Sequence, residues 1–553
     1  MINNARGVSR DRGVSRRAVL GGAAAVAAGG MLAACAPGTE QSGGTGGSTE
    51  AGGAGAGASV PAYVPFPGIE HDLPGTAEGI PPGVYSYPDP PIVRDGYPLP
   101  AGDPISALVQ GPPNNVPDSE NQNFQNIVKQ IGAPLQMVYG GYPEYTSKFQ
   151  VTMASGDLPD MCMIVPVAEL PRLLEANFTD LSDVLGGDGV SKYPGLANIP
   201  TAAWSVPTIN GRLFGIPMPL PPAGKVITAR SDTVEARGVD PHAINLRDGQ
   251  DFLDLLEQLT RREKNEFSMG ANPTAWLLSI VKQMVGGPNV WKLDGDTFVH
   301  ENETEEMKEA LERSKEIIAA GYLHPNSFSD PGNNGTWWTS GVTALYIQGF
   351  SGWTRQSRFD VDWEYINVEV PAWDGGAAPV HKSSPAYEAF MAFKQAEGER
   401  LEQMLQVADF LASPFGTQQF VDLNYGVETY SYEMRDGEPM KLEEAPQVPT
   451  HLRYCGGNYA SVLYGAGNKE YVDAQHDYVN RVIPDGLDNP AGGLYSETEV
   501  TKAATMTKEM LDVQRSIMQG EKPLTAWDEF VSEWKSKVGD QMAAEYAEAK
   551  ANS

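Results

Sequence analysis

Three short apolar segments, separated by two helical ones, follow one another between residues 105 and 165, and this alternation limits the possible folds more than any other feature. The segments Ile105–Gln110, Leu135–Tyr139 and Met161–Val165 have the length and composition of β-strands. Helical spacing of apolar residues lies between them, at 124–131 and in Tyr145–Met153. Alternating strands and helices predict a parallel α/β sheet, and the wholly apolar third strand fits a sheet covered on both faces.

The chain beyond this unit is too long for one hydrophobic core. About 450 residues follow position 103, so we expect two α/β lobes. Further strands are predicted at Lys225–Ala229, Val342–Ile347 and Tyr365–Val370. Two helices, 497–518 and 526–537, are predicted to close the chain.

The N-terminus has the features of an export signal. The first 17 residues carry five arginines against one acid, and an uncharged run of Ala, Gly, Val, Leu and Met follows from 18 to 34. The pair Arg16 and Arg17, after Ser15, resembles a twin-arginine signal, although a general secretory signal that contains two arginines is the alternative. Leu32-Ala33-Ala34-Cys35 resembles a bacterial lipobox, which predicts cleavage before Cys35 and acylation of its thiol. The alternative is a free cysteine beside an ordinary cleavage site.

The next 69 residues, 36–104, have the composition of a tether. Residues 36–60 are almost all Gly, Ala, Ser, Thr and Glu and predict a flexible linker, and 61–104 are rich in proline and predict a stiffer spacer. The folded part is therefore expected at 105–553, behind a signal at 1–35.

Charge and cysteine content exclude several classes of protein. The formal net charge is −31, which argues against nucleic acid and anionic lipid surfaces as partners. The seven histidines are scattered and no CxxC or HExxH is present, so neither a metal site nor a cofactor is predicted. Cys162 and Cys455 could pair in an oxidising compartment or stay buried as free thiols.

Several stretches together carry a resemblance to a known family. They are Tyr145–Phe149, Met153–Asp160, Phe178–Leu181, Asn210–Pro217, Tyr425–Glu428, Asp436–Pro439 and Gly520–Val531. In this order and spacing they resemble the extracellular solute-binding proteins of ABC importers, in the carbohydrate-binding group and its LplA-like lipoprotein subset. The resemblance covers roughly 105–550.

That resemblance implies a periplasmic-binding-protein type II fold, with two α/β lobes, a hinge and a ligand cleft that closes on the solute. It also implies permease subunits and, because this chain has no P-loop, a separate ATPase as partners. The chain departs from many relatives at Thr429-Tyr430-Ser431. It also departs at residues 264–268, where the ligands of a cation-binding loop are missing.

A sugar site needs aromatic faces for the C–H surfaces of the pyranose ring and amides or carboxylates for its hydroxyls. Ligands of open α/β sheets bind beyond the carboxyl ends of strands. On these grounds, and for the last two from the family resemblance, the predicted ligand-binding residues are Gln110, Asn114, Tyr142, Trp204, Trp338, Trp353, Trp373, Glu428 and Tyr430. For each tryptophan the alternative is core packing, and for Gln110 and Asn114 it is capping of the next helix.

The sequence thus predicts a lipid-anchored protein on the outer face of the cell membrane that captures a sugar for an ABC importer and is not an enzyme. The alternatives are a binding protein for oligopeptides or another solute, and an exported glycoside hydrolase, which would need two carboxylates at a defined separation.

Overall fold

The computed structural model describes residues 60–111, 116–141, 144–356, 363–442, 445, 448–455 and 462–551. The major strands, in chain order, are β1 (Ile105–Gln110), β2 (Leu135–Gly140), β3 (Met161–Ile164), β4 (Ile216–Pro219), β5 (Lys225–Arg230), β6 (Phe267–Met269), β7 (Thr343–Gly349), β8 (Tyr365–Val368) and β9 (Ala386–Phe393). The major helices are α1 (Gln122–Ile131), α2 (Tyr145–Ser155), α3 (Leu170–Asn177), α4 (Gly249–Leu259), α5 (Leu278–Met284), α6 (Glu305–Ala319), α7 (Gly398–Leu411), α8 (Gln418–Asn424), α9 (Lys469–Asp485), α10 (Glu497–Met518), α11 (Thr525–Trp534) and α12 (Asp540–Ala551).

Shorter elements complete the description. The short helices include Ser182–Leu185, Pro194–Ala197, Ser231–Ala236, Asn334–Thr339 and Phe350–Gln356, and the short strands are Gly83–Val84, Thr208–Ile209, Arg212–Leu213, Trp291–Asp294, Thr297–His300, Tyr432–Arg435, Glu438–Lys441 and Leu463–Tyr464. The sequence prediction of two closing helices is wrong, because α12 follows α11 through a π-helical turn at Lys535–Gly539.

The first lobe is built on a five-stranded sheet in the order β2-β1-β3-β9-β4. β1 pairs in parallel with β2 and β3, as the sequence predicts, whereas β9 is antiparallel to both β3 and β4. All four residues of β3 are buried because helices cover both faces of the sheet. Cys162 of β3 and Cys455 are buried free thiols, and burial raises the pKa of each to about 12.

The second lobe has a four-stranded sheet in the order β8-β5-β7-β6 and a separate hydrophobic core. β5 is antiparallel to β7 and β8, and β6 is parallel to β7. The helices α4, α5, α6 and α10–α12 pack around it, and their apolar side chains bury Trp291 and Trp527.

Three segments connect the lobes. Leu220–Gly224 leads from β4 to β5, residues 369–385 lead from β8 back to β9, and residues 486–496 lead from α9 to α10. The second and third run side by side, since the Leu487 amide donates to the Val380 carbonyl (2.8 Å) and the Lys382 amide donates to the Leu487 carbonyl (2.9 Å). The type II fold with two lobes is confirmed.

Residues 61–104 are not a spacer, and this part of the sequence prediction is wrong. The Ala62 and Val64 amides donate to the carbonyls of Gly187 (3.0 Å) and Ala197 (2.8 Å), and Gly83–Val84 pairs in parallel with Leu463–Tyr464. Val84 and Tyr87 are each only 3% exposed. The prolines therefore shape an extended strap whose apolar side chains are buried against the folded part.

A buried ion pair fixes this strap to the first lobe. The Arg94 guanidinium pairs with the Asp409 carboxylate of α7, both side chains being at most 7% exposed. The carboxylate also accepts from the Tyr97 hydroxyl (2.8 Å) and from the Gly195 amide (2.6 Å). Asp409 thus joins three segments that are remote in sequence.

We expect Asp409→Ala to lower the free energy of unfolding by about 3–5 kcal/mol, because it leaves the Arg94 charge buried without a partner. Urea denaturation would measure this. The matched control is Glu433→Ala, which breaks the exposed pair between Arg435 and Glu433 (2.7 Å) and should cost about 1 kcal/mol or less. Equal stability of the two variants would contradict a structural role for Asp409.

Candidate functional site

The connections bring the carboxyl edge of the first sheet opposite one edge of the second. Leu220–Gly224 can span no more than about 20 Å, and it joins the end of β4 to the start of β5. β4 ends at the same edge as β1, β2 and β3, since β9 is antiparallel to both β3 and β4. In the second sheet the facing edge holds the start of β5 and the ends of β6, β7 and β8. The space between these edges is the candidate binding cleft.

On the first lobe, polar and aromatic side chains meet where β1 and β2 end. The Tyr139 hydroxyl donates to the Asp118 carboxylate (2.9 Å), and the Tyr139 ring lies edge-on to that of His451, with 5.2 Å between centroids. Burial raises the Tyr139 pKa well above its ordinary value, so the phenol is a neutral hydrogen-bonding group. Gly111, at φ +127°, allows this packing because a Cβ there would lie 2.5 Å from the His451 ring. Gln110 is partly buried at the end of β1.

The loop that carries Glu428 and Tyr430 lies against the start of α1. Asn123 holds it, donating from its Nδ2 to the Ser431 hydroxyl (2.8 Å) and accepting from the Val427 amide (2.9 Å). Glu428 is exposed and Tyr430 partly buried. The structure therefore brings both residues to the rim of the edge that Gln110 and Tyr139 occupy.

A bulge in β9 adds a site feature that the sequence analysis missed. The register shifts between Ala386 and Phe390, and the two residues after Ala386, Tyr387 and Glu388, are exposed at this edge. Tyr387 is 37% exposed. No turn or Gly residue marks the bulge in the sequence, so only the structure reveals it.

On the second lobe, the facing edge carries Lys225 at the start of β5 and Trp276 after β6. The Lys225 ammonium donates to the Ser279 hydroxyl (2.7 Å) and lies 5.4 Å from the centre of the Trp276 ring. Burial lowers the Lys225 pKa to about 8. Trp276 is partly exposed. It lies in the helical turn Pro273–Leu277 after β6, a strand that the sequence analysis did not predict, so the strand-end rule could not have found it.

A cavity of ≈ 630 Å³ adjoins Lys225. It is bounded by the start of β5, the end of β8, α5, α9 and the segment that crosses back to the first lobe. The polar residues of its lining are Lys225, Asn245, Arg247, Gln283, Asn367, Glu369 and Arg481.

Three predicted ligand-binding tryptophans are core residues. Trp204, Trp338 and Trp353 are at most 1% exposed, so in this structure none offers a face to a ligand, and the prediction for them is wrong. Trp353 packs against Phe350 and Tyr478, and the Trp338 Nε1 donates to the Ala344 carbonyl (3.2 Å). All three lie on short helices, at Thr201–Ser205, Asn334–Thr339 and Phe350–Gln356, and their side chains turn inward.

The Trp373 ring is also in contact with other residues of the protein. It is partly buried, packs closely on Gly249, and carries the Arg313 guanidinium 5.0 Å from its ring centre. Trp373 lies within the segment that crosses back to the first lobe, and its role in ligand binding stays a prediction.

The remaining predicted residues, Asn114, Tyr142, Cys35, Arg16 and Arg17, lie outside the described residues. Within the described ranges, no group of three or more His, Cys, Asp or Glu side chains is placed to hold a metal ion. In the same ranges, no helix has the length and apolarity needed to cross a membrane.

Two α/β lobes, three connecting segments and a polar and aromatic cleft define a solute-binding protein of the type II class. The chain belongs to the family of bacterial extracellular solute-binding proteins, whose family model matches residues 122–449. Lipoprotein LipO of Bacillus subtilis is 20% identical over 461 residues, 77% of this chain and 88% of that protein. The polygalacturonan/rhamnogalacturonan-binding protein YtcQ of the same species is 19% identical over 73% of this chain and 82% of its own length.

Solved structures share the fold at low identity. The alginate-binding protein AlgQ2 is 14% identical, with a TM-score of 0.57 over 83% of this chain and 99% of its own. The N-glycan transport solute binding protein NgtS of Streptococcus pneumoniae is also 14% identical, with a TM-score of 0.56 over 82% of this chain and 100% of its own.

We expect Trp353→Ala to cost about 3–5 kcal/mol of stability, because it opens a cavity among buried aromatic rings. Trp276→Ala, at a partly exposed position, should change stability by about 1 kcal/mol or less. Thermal unfolding of the two variants tests this contrast. A Trp353→Ala protein that melts like wild type but no longer binds ligand would show that Trp353 is a ligand-stacking residue after all.

Proposed function

We propose that this chain captures an oligosaccharide outside the membrane, holds it between its two lobes and delivers it to the permease of an ABC importer. The observation that carries the proposal is the presence of accessible aromatic rings at both facing edges: Tyr139, Tyr387 and Tyr430 on one lobe and Trp276 on the other. Such rings suit the apolar faces of pyranose rings, and the neighbouring amides and hydroxyls suit their hydroxyl groups.

The relatives support the same solute class. YtcQ is named for binding polygalacturonan and rhamnogalacturonan, and the structures that share the fold include proteins named for binding alginate and transporting N-glycans. In this proposal the chain is a binding protein and not an enzyme. Partners are permease subunits and a separate ATPase, because a solute-binding chain supplies neither a pore nor an ATP site.

Oligosaccharides of the correct class should raise the melting temperature, since a ligand that binds only the folded state stabilises it, by about 2.7 kcal/mol at a hundredfold excess over Kd. Small-angle scattering should show a smaller radius of gyration with the same ligand, as the lobes close by a hinge motion. The control panel consists of short peptides. Stabilisation by peptides and by no oligosaccharide would replace this proposal with an oligopeptide-binding function, and release of shortened sugars on incubation would indicate a hydrolase.

We further propose that Arg16 and Arg17 direct export by the twin-arginine route and that acylated Cys35 anchors the protein at the outer face of the cell membrane. The motivating pattern is Leu32-Ala33-Ala34-Cys35 after an uncharged run. Stable anchoring requires more than one acyl chain, which a lipobox cysteine receives.

Cys35→Ser should remove the protein from the membrane fraction or leave the precursor uncleaved, because the acceptor of the acyl chains is lost. Fractionation and immunoblotting would measure this, with Cys162→Ser as a control that keeps the anchor. A wild-type protein found wholly in the soluble exported fraction would contradict the anchor.

A further inference from the structure

The Lys225 ammonium is a partly buried charge without a carboxylate partner among the described residues. Its direct contacts are one hydroxyl, that of Ser279 at 2.7 Å, and the Trp276 ring. Glu301, the acid whose charge raises the Lys225 pKa, is already paired with Lys282. Removing a charge from water without a counter-ion costs free energy, and burial lowers the Lys225 pKa accordingly.

The other cations of the adjoining cavity are differently placed. The Arg247 guanidinium pairs with Asp251 (2.6 Å), and the Arg481 guanidinium pairs with Glu369. Both arginine side chains are substantially exposed, so water also solvates them. Lys225 is therefore the cation of this cavity whose charge the protein leaves uncompensated.

The cavity itself has the size and lining of a saccharide site. Its volume of ≈ 630 Å³ lies within the range of small-molecule pockets, about 300–1,000 Å³. Asn245, Gln283 and Asn367 are among the residues that line it, and the Gln283 Oε1 accepts from the His381 amide (3.1 Å) of the crossing segment, which also contributes Gly376, Ala377 and Ala378. Neutral amides donate to and accept from sugar hydroxyls, but they do not neutralise an ammonium.

We propose that this cavity is a subsite for an acidic sugar, in which the carboxylate of a uronic acid residue pairs with the Lys225 ammonium. The inference rests on the proposed capture of oligosaccharides and narrows it to chains that contain uronic acids. A carboxylate supplies the counter-ion that the protein lacks, and its hydrogen bond with the ammonium is charge-assisted. The amides then hold the hydroxyls of the same sugar.

A purely structural role for Lys225 predicts a different outcome. Its hydrogen bond with Ser279 joins β5 to α5, but a neutral side chain of similar length would pack there without a desolvated charge. Lys225→Met should therefore leave the melting temperature of the ligand-free protein unchanged or raise it. A structural lysine would instead give a lower melting temperature and an unchanged choice of ligand.

The test compares oligogalacturonates, oligomannuronates and oligoglucuronates with their carboxyl-reduced, neutral counterparts by calorimetric titration of the purified protein. Wild type should bind at least one oligouronate about 10- to 100-fold more tightly than its reduced counterpart. Lys225→Met should abolish that preference, and Lys225→Arg should keep part of it. The matched control is Lys264→Met, on the exposed surface of the same lobe, which should behave as wild type. Asn367→Ala should weaken acidic and neutral ligands by the same factor.

The outcomes separate this inference from the proposed function. Binding of neutral oligosaccharides with no preference for any oligouronate, or a preference that survives Lys225→Met, would overturn the acidic subsite and leave oligosaccharide capture intact. If no saccharide binds, the proposed function itself is overturned. A further outcome is that sodium sulfate alone raises the melting temperature of the wild type as much as an oligouronate does, and has no such effect on Lys225→Met. That result would indicate a site for free anions and would also overturn the inference.

Discussion

The three chain crossings between the lobes are the constraint on which the rest of the structure depends. A connection as short as Leu220–Gly224 forces the end of β4 and the start of β5 to stay close, whatever the sheets do elsewhere. The hydrogen bonds between the other two crossings make them one ribbon, so the lobes can rotate but cannot separate. Gly224 shows how tight the junction is: at φ +70°, a Cβ there would lie 2.3 Å from the His381 carbonyl oxygen. Any residue at the facing edges is thereby directed into one shared space.

The composition of the N-terminal region did not predict how this region packs. Proline suggested a stiff spacer over 61–104 because composition reports backbone stiffness and says nothing about partners. The strap is instead held by side chains spread along it: Ile80 is buried with residues of α9 and Val226, Tyr87 lies against Phe415, and Arg94 reaches Asp409. Each partner lies more than a hundred residues away in the chain, so no local pattern could have indicated it. The strap therefore contacts both the first lobe and the aromatic cluster that contains Trp353.

The sequence predicted regular elements well and side-chain direction poorly. The bounds of β1 agree with the structure to the residue, and the helical stripe of α10 was located at both ends, because a period of 2 or 3.6 is a local property. Local sequence is also enough to predict that a tryptophan follows a strand. Whether its ring turns outward depends on neighbours from other segments. Trp353 turns inward because Phe350, Tyr471 and Tyr478 surround it, whereas Trp276 stays accessible at an equivalent place. The antiparallel β9 and its bulge follow a long crossing, and that topology has no signature in the local sequence.

Net charge and local charge act at different ranges in this molecule. A formal charge of −31 raises the free energy of any anion that approaches the surface, but salt screens that effect beyond a Debye length of about 8 Å at physiological ionic strength. Inside the cavity, water and salt are displaced, so a single uncompensated ammonium acts on a bound carboxylate through a lower effective dielectric. In the proposed subsite, the acidic surface would slow the approach of an anionic solute, and Lys225 would act only on solutes that are already bound in the cavity. On this proposal, acidic and neutral sugars would differ mainly in how fast they dissociate, because the attraction to Lys225 begins only after the ligand has entered the cavity.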